Sequence, residues 1–173
     1  MQAFRGCTES ADGSNPYQVT LYPTGRRPRG SRLFRDHVTS LASSHPVGDH
    51  PVILIVEDDE SVRQSLGRVL VAHGFSVHVA SSVADAVRCG ENVDLDAVIL
   101  DLSLSGKESG LDFLGWLRTE PRHAHLPVLI LTGRNVLPED EEALIRRQRA
   151  YVFYKPQPYD LLIDYLKRLT HFA

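Results

Sequence analysis

Hydrophobic positions between residues 51 and 173 follow two alternating patterns. Short runs rich in β-branched residues, such as VILIV at 52–56, are typical of strands buried on both faces of a parallel sheet. Between these runs, apolar side chains recur at helical spacing. The patterns predict strands over 52–56, 75–80, 96–101, 127–132 and 150–154, and helices over 59–74, 82–90, 110–120, 138–149 and 159–172.

Strands and helices that alternate in this way predict an α/β fold. Parallel strands need crossover connections, and these are right-handed, so the helices cover both faces of the sheet. We therefore expect a doubly wound, five-stranded parallel sheet. In such sheets, ligands bind beyond the carboxyl ends of the strands.

Residues 1–50 differ from the rest of the chain. They contain many Gly, Pro and Ser residues and no sustained apolar periodicity, which predicts a poorly ordered N-terminal extension. The basic run TGRRPRGSR at 24–32 is either a solvated tail or an arm for an acidic partner or RNA, and its shortness favours the tail. The net charge of −3 gives no reason to expect nucleic-acid binding by the whole chain.

Other composition features exclude several classes of protein. Cys7 and Cys89 lack metal-binding or paired spacing, which predicts reduced thiols in a cytoplasmic protein. No apolar run approaches the roughly 18–20 residues of a membrane helix, and no signal peptide is recognisable. The RHAH segment at 122–125 does not match a zinc-site pattern.

Polar and charged residues follow four of the predicted strands. They are Glu57, Asp58 and Asp59 after the first strand, then Asp101, Thr132 and Lys155. Carboxylates gathered at one sheet edge repel each other unless a cation lies among them, and an all-oxygen set suits Mg²⁺. Such a site is suited to phosphoryl transfer, in which Asp101 is the nucleophile and Lys155 stabilises the charge on the phosphoryl oxygens.

Four motifs in order resemble the receiver domains of bacterial two-component response regulators. ILIVEDDESVRQSL resembles the opening strand, the acidic pair (Glu57 and Asp58) and the first helix, and VILDLSL the strand of the phospho-acceptor, Asp101. LILTG resembles the strand of the switch hydroxyl, Thr132, and YKPQP the lysine and cis proline, Lys155–Pro156. The resemblance covers about residues 51–173, which would form the receiver domain.

The resemblance implies a flavodoxin-like (βα)5 fold and a mechanism. A sensor histidine kinase or a histidine phosphotransfer protein would donate a phosphoryl group to Asp101. Mg²⁺ would be held by Asp58, Asp101 and the backbone carbonyl of Ser103, with Glu57 acting through water. Thr132 would then turn toward the phosphoryl group and change the surface near the fourth helix and fifth strand.

Two positions depart from the family pattern. Val152 stands where a switching aromatic residue is frequent, although Tyr151, Phe153 and Tyr154 surround it. Ser105 stands where the family usually has proline, in a loop that is one residue longer than usual. We expect a more mobile loop and a different lifetime of the phosphoryl group.

The sequence to Ala173 contains no further motif after the fifth helix. It therefore predicts a receiver without an output domain that acts through contact with an unknown target protein, with no DNA or membrane binding. A homodimer through the fourth helix, fifth strand and fifth helix is a further hypothesis. Apart from its own phosphorylation and dephosphorylation, no enzymatic activity is expected.

Two other functions are alternatives. A degenerate receiver would bind proteins independently of phosphorylation, as a scaffold. A Mg²⁺-dependent phosphatase of the haloacid-dehalogenase type would need an acid two residues after the nucleophile, where this chain has Ser103. Nucleotide binding is disfavoured because neither phosphate-binding glycine motif occurs.

Overall fold

The computed structural model describes residues 5–6, 50–106, 108–156 and 158–172. The strands in this part of the chain are β1 (Arg5–Gly6), β2 (Val52–Val56), β3 (Ser76–Ala80), β4 (Ala97–Leu100), β5 (Val128–Thr132) and β6 (Tyr151–Tyr154). The helices are α1 (Glu60–Ala72), α2 (Val83–Asn92), α3 (Gly110–Thr119), α4 (Glu139–Arg147) and α5 (Tyr159–Leu169).

The strands form one parallel sheet in the order β1-β3-β2-β4-β5-β6. Its strands β2 to β6 correspond to the five predicted strands, and each is followed by one of the five predicted helices. The predicted α/β fold class is therefore confirmed. Because β2 and β4 are neighbours at the centre of the sheet, the residues that follow them meet at its carboxyl edge.

Both faces of the sheet are covered by apolar side chains. In β2, Ile53 and Ile55 pack on the side of α1 and α5, while Leu54 and Val56 pack on the side of α2, α3 and α4. All four are fully buried. The continuous apolar runs in the sequence thus reflect strands that have no solvent-exposed face.

Helix α1 begins directly behind the acidic pair. The Asp59 carboxylate caps it by accepting a hydrogen bond of 3.0 Å from the Val62 N–H, so Asp59 rather than Ser61 is the cap. The chain leaves α1 at Gly74, whose φ of +91° favours glycine. Because Asp59 is the capping residue, the backbone directly after Asp58 is held at the start of α1.

Arg118 near the end of α3 joins two turns at the amino ends of strands β5 and β6, away from the carboxyl edge of the sheet. Its guanidinium donates hydrogen bonds to the carbonyls of His123, Leu126 and Gln148, at 3.2, 3.0 and 2.8 Å. The turn before β5 and the turn before β6 are thereby held to the same side chain.

Strand β1 extends the sheet beyond β3, with Arg5 opposite His78 and Gly6 opposite Val79. The hydrophobic pattern does not predict it. The rest of the predicted N-terminal extension up to residue 49, including the basic run 24–32 and Cys7, lies outside the described residues. Across the described ranges, no helix combines the length and the apolar character that crossing a membrane requires.

Candidate functional site

Glu57 and Asp101 follow neighbouring strands at the carboxyl edge of the sheet. Val56 is paired with Leu100, and the Asp101 N–H donates to the Val56 carbonyl at 2.9 Å. The Glu57 N–H donates to the Ala80 carbonyl at 3.1 Å. Main-chain hydrogen bonding thus continues to the first residue after each strand. It fixes the backbone positions of Glu57 and Asp101, from which the two carboxylates extend.

Three carboxylates form a compact cluster at this edge. Oxygen atoms of Glu57, Asp58 and Asp101 all lie within 4.8 Å of one another. Glu57 and Asp101 are only 4% and 6% exposed, while Asp58 is half-buried. Negative charges this close and this poorly solvated repel each other strongly, and a bound cation would relieve that repulsion. Its all-oxygen donor set fits a hard divalent ion such as Mg²⁺.

Lys155 reaches the cluster from the end of β6. Its Nζ lies 2.5 Å from Glu57 Oε2 and 2.9 Å from Asp101 Oδ2. Burial lowers the pKa of Lys155, but the charges of Glu57 and Asp101 and the hydrogen bonds to them outweigh it, and the net shift is upward. Lys155 is therefore an ammonium donor at neutral pH. The Lys155–Pro156 peptide bond is cis, as the resemblance implies.

The two members of the acidic pair have opposite pKa shifts. Burial, together with the charge of Asp101, raises the pKa of Glu57 to about 7 despite the contact with Lys155. Burial also acts to raise the pKa of Asp58, but hydrogen bonds from the hydroxyl and amide of Ser105 and from the main-chain amides of Asp58 and Asp59 outweigh it and lower the pKa. The single positive charge of Lys155 does not fully balance the negative charge of the three carboxylates. A divalent cation would neutralise the remainder.

Thr132 is fully buried at the end of β5. Its hydroxyl accepts a hydrogen bond of 3.2 Å from the Arg134 N–H, and its carbonyl accepts one of 2.7 Å from the Lys155 N–H. The residue opposite Thr132 in β6 is Tyr154. Val152 and Tyr154 both pack on the side of the sheet that α2, α3 and α4 cover. An aromatic residue thus stands opposite Thr132 in the neighbouring strand, two residues from the expected position.

The loop after Asp101 turns main-chain amides toward the cluster. The Ser103 N–H donates to Asp101 Oδ1 at 3.0 Å, and the Ser105 N–H donates to Asp58 Oδ2 at 2.8 Å. The structure therefore brings Glu57, Asp58, Asp101 and Lys155 into one connected network. The role of the Ser103 carbonyl as a metal ligand stays a prediction.

Arg63 belongs to the site, although the sequence analysis did not identify it. It lies in α1, is 3% exposed, and its Nη1 donates to the carbonyls of Glu57 at 2.6 Å and Asp58 at 3.0 Å. Arg63, Leu66 and Leu70 are spaced at i, i+3 and i+7. A charged residue in the buried stripe of a helix was the available signal, because such a residue needs a partner.

Gly110 is a second residue that the sequence analysis missed. A Cβ atom there would lie 2.3 Å from the Asp101 carbonyl oxygen and 2.9 Å from the Leu102 Cα. Helix α3 can therefore begin this close to Asp101 only because its first residue has no side chain. A glycine at the start of a predicted helix was the signal.

Comparison with known proteins identifies the family of this chain. The family model for the response regulator receiver domain matches residues 53–167. A putative NtrX-like response regulator of Rickettsia bellii is 33% identical over 67% of this chain and 24% of its own length. Protein PetR of Rhodobacter capsulatus is 33% identical over 65% of this chain and 46% of its own. The chain thus spans less than half the length of these relatives.

Solved structures with the same fold include two receiver domains. The receiver domain of the sensor histidine kinase PA1611 from Pseudomonas aeruginosa, which has a magnesium ion in its active-site cleft, superimposes with a TM-score of 0.62 at 25% identity, over 70% of this chain and 98% of that one. The receiver domain of a DNA-binding response regulator from Colwellia psychrerythraea gives 0.62 at 28% identity, over the same shares.

Proposed function

Because the chain belongs to the family of response regulator receiver domains, we propose that Asp101 accepts a phosphoryl group from a histidine kinase or a histidine phosphotransfer protein. The observation that carries the proposal is the position of the Asp101 carboxylate. It is buried at a strand end, 2.9 Å from the Lys155 ammonium, and belongs to a cluster of three carboxylates.

The donor set fits Mg²⁺. Asp58 and Asp101 would hold it directly, Glu57 through water, and the Ser103 backbone carbonyl would complete the protein ligands. When bound, the ion would neutralise negative charge on the phosphoryl oxygens. The magnesium ion in the active-site cleft of the Pseudomonas receiver domain supports Mg²⁺ as the ion.

The residues of the chain have separate roles in the transfer. An Asp101 oxygen forms the new bond to phosphorus while the bond from phosphorus to the donor histidine nitrogen breaks, and the imidazole leaves with the electron pair of that bond. Lys155 binds an oxygen of the incoming group. Thr132 carries a hydroxyl proton that it can donate to another phosphoryl oxygen, and this contact would shift the surface formed by α4, β6 and α5.

We assign the domain to signalling rather than to enzymatic turnover of an external substrate. Its partners would be the phosphodonor protein and a target that distinguishes the modified surface. A homodimer through α4, β6 and α5 stays a prediction. The absence of an output domain, the absence of DNA binding and a cytoplasmic location also stay predictions, since the matched relatives are longer than this chain.

The test is the intact mass of the protein after incubation with Mg²⁺ and acetyl phosphate. We expect one phosphoryl adduct, stable in acid and labile in base, on the wild type and on the surface control Asp160→Asn. Asp101→Asn should carry none. If the wild type binds Mg²⁺ but forms no adduct, the scaffold alternative is favoured and the proposal is wrong.

A further inference from the structure

Two amides of one loop hold two different carboxylates of the site. In the loop between β4 and α3, the Ser103 N–H donates to Asp101 Oδ1 and the Ser105 N–H donates to Asp58 Oδ2, at 3.0 and 2.8 Å. The first bond is local. The second joins residues 47 positions apart and links this loop to the one that follows β2.

The second bond depends on the residue type at position 105. A proline, which the family usually has there, carries no N–H and could not donate to Asp58. The serine therefore gives the Asp58 carboxylate a main-chain donor from the neighbouring loop that a proline could not supply.

Asp58 is the cluster carboxylate that most needs orienting. Glu57 and Asp101 are buried and each contacts the Lys155 ammonium, whereas Asp58 is half-buried. A partly exposed carboxylate can rotate toward water. One oriented by a hydrogen bond is ordered before a cation arrives, so less conformational entropy is lost on binding.

We propose that Ser105 is a positioning residue whose amide holds the Asp58 carboxylate in place for the divalent cation. The inference rests on the proposed function, because it takes Asp58 as a metal ligand. It goes further by assigning a metal-affinity role to a loop position that departs from the family pattern. Partners that orient metal ligands typically change metal affinity by about 10–100-fold when they are removed.

The direct test is a calorimetric Mg²⁺ titration without any phosphodonor. Ser105→Pro removes the N–H, and Ser105→Ala is the matched control that keeps the N–H and removes the hydroxyl. We expect about tenfold weaker Mg²⁺ binding for the proline variant, at the lower end of the range for such partners. The alanine variant, which keeps the amide but loses the hydroxyl hydrogen bond to Asp58, should lose clearly less affinity. Equal affinity of the proline variant and wild type would overturn the inference, as would an equal loss in both variants.

A second measurement covers the case in which the proline variant does not fold. In amide proton NMR spectra, Asp58→Ala should move the Ser105 amide resonance upfield and leave that of Ser103 in place. Asp101→Ala should do the reverse. A Ser105 resonance that does not respond to Asp58→Ala would show that the bond is absent in solution.

The Mg²⁺ dependence of phosphorylation by acetyl phosphate separates a positioning role from general damage. Ser105→Pro should raise the half-saturating Mg²⁺ concentration and reach the wild-type rate at saturation. A lower rate at saturation would contradict the positioning role. If the wild type is not phosphorylated, the proposed function fails, and the calorimetric titration still decides the role of Ser105.

Discussion

Gly110→Ala gives the sharpest structural test of how the site is built. The new Cβ would lie 2.3 Å from the Asp101 carbonyl oxygen, whereas real Cβ contacts essentially never fall below 3.0 Å. The start of α3 and the end of β4 must therefore separate by at least 3.0 − 2.3 = 0.7 Å. Both sides of this contact are main chain, so no side-chain rotation can relieve it.

The expected cost follows from that displacement. Overpacking a closely packed position costs about 1–3 kcal/mol of unfolding free energy. Gly115→Ala in the same helix is the matched control, because nothing lies within 4 Å of its Cβ position. Replacing a mid-helix glycine by alanine should stabilise the protein by about 0.5–1 kcal/mol. The two substitutions are thus expected to change the unfolding free energy in opposite directions.

Urea denaturation and the acetyl phosphate reaction measure the two consequences. Gly110→Ala should unfold at lower urea than wild type, and Gly115→Ala at higher urea. Because Asp101 adjoins the displaced contact, Gly110→Ala should also slow phosphorylation, by up to about 100-fold, the loss that misplacement of about 1 Å produces. If Gly110→Ala matched Gly115→Ala in stability and in rate, the argument for a main-chain contact at this position would be refuted.

Three further predictions concern charged side chains that are buried or half-buried. Arg63→Met should lower the unfolding free energy by about 2 kcal/mol or more, because two carbonyls lose their donor, while the exposed control Arg68→Met should change it by less than about 0.5 kcal/mol in the same urea titration. Arg118→Met should cost a similar amount, and a loss below about 0.5 kcal/mol would contradict the role of its three hydrogen bonds. For Glu57, the folded-state pKa of about 7 exceeds the ordinary 4.5. Between these pH values the metal-free folded protein therefore binds more protons than the unfolded chain does. Its unfolding free energy should then fall by about 3 kcal/mol between pH 4.5 and 7, and an unchanged slope in Glu57→Gln would exclude Glu57 as the source.

The sequence determined the fold class because the relevant signals are local. Strands β2, β4, β5 and β6 are short, mostly apolar runs, the helices between strands have apolar stripes, and Asp59 caps α1. The carboxyl ends of parallel strands share one edge. The sequence therefore predicted that Asp101 and Lys155 lie at the same edge, while their contact depends on the order of the strands in the sheet.

Other features depend on which segments approach each other, which local patterns do not encode. Strand β1 is two residues long and has no apolar run, so only its pairing with β3 identifies it. The Ser105–Asp58 bond joins two loops through a main-chain amide, a group that every residue except proline carries.

The sequence by itself thus determined the parallel sheet, its helices and the acidic, hydroxyl and lysine residues at the strand ends, because periodicity and the succession of elements are properties of the chain. Only the tertiary structure decided that Arg63 holds the carbonyls of the acidic pair, that Gly110 gives α3 its close approach to Asp101, and that Tyr154 rather than Val152 lies opposite Thr132. Those outcomes depend on distances of a few ångströms between segments far apart in sequence, and packing of the whole domain sets such distances.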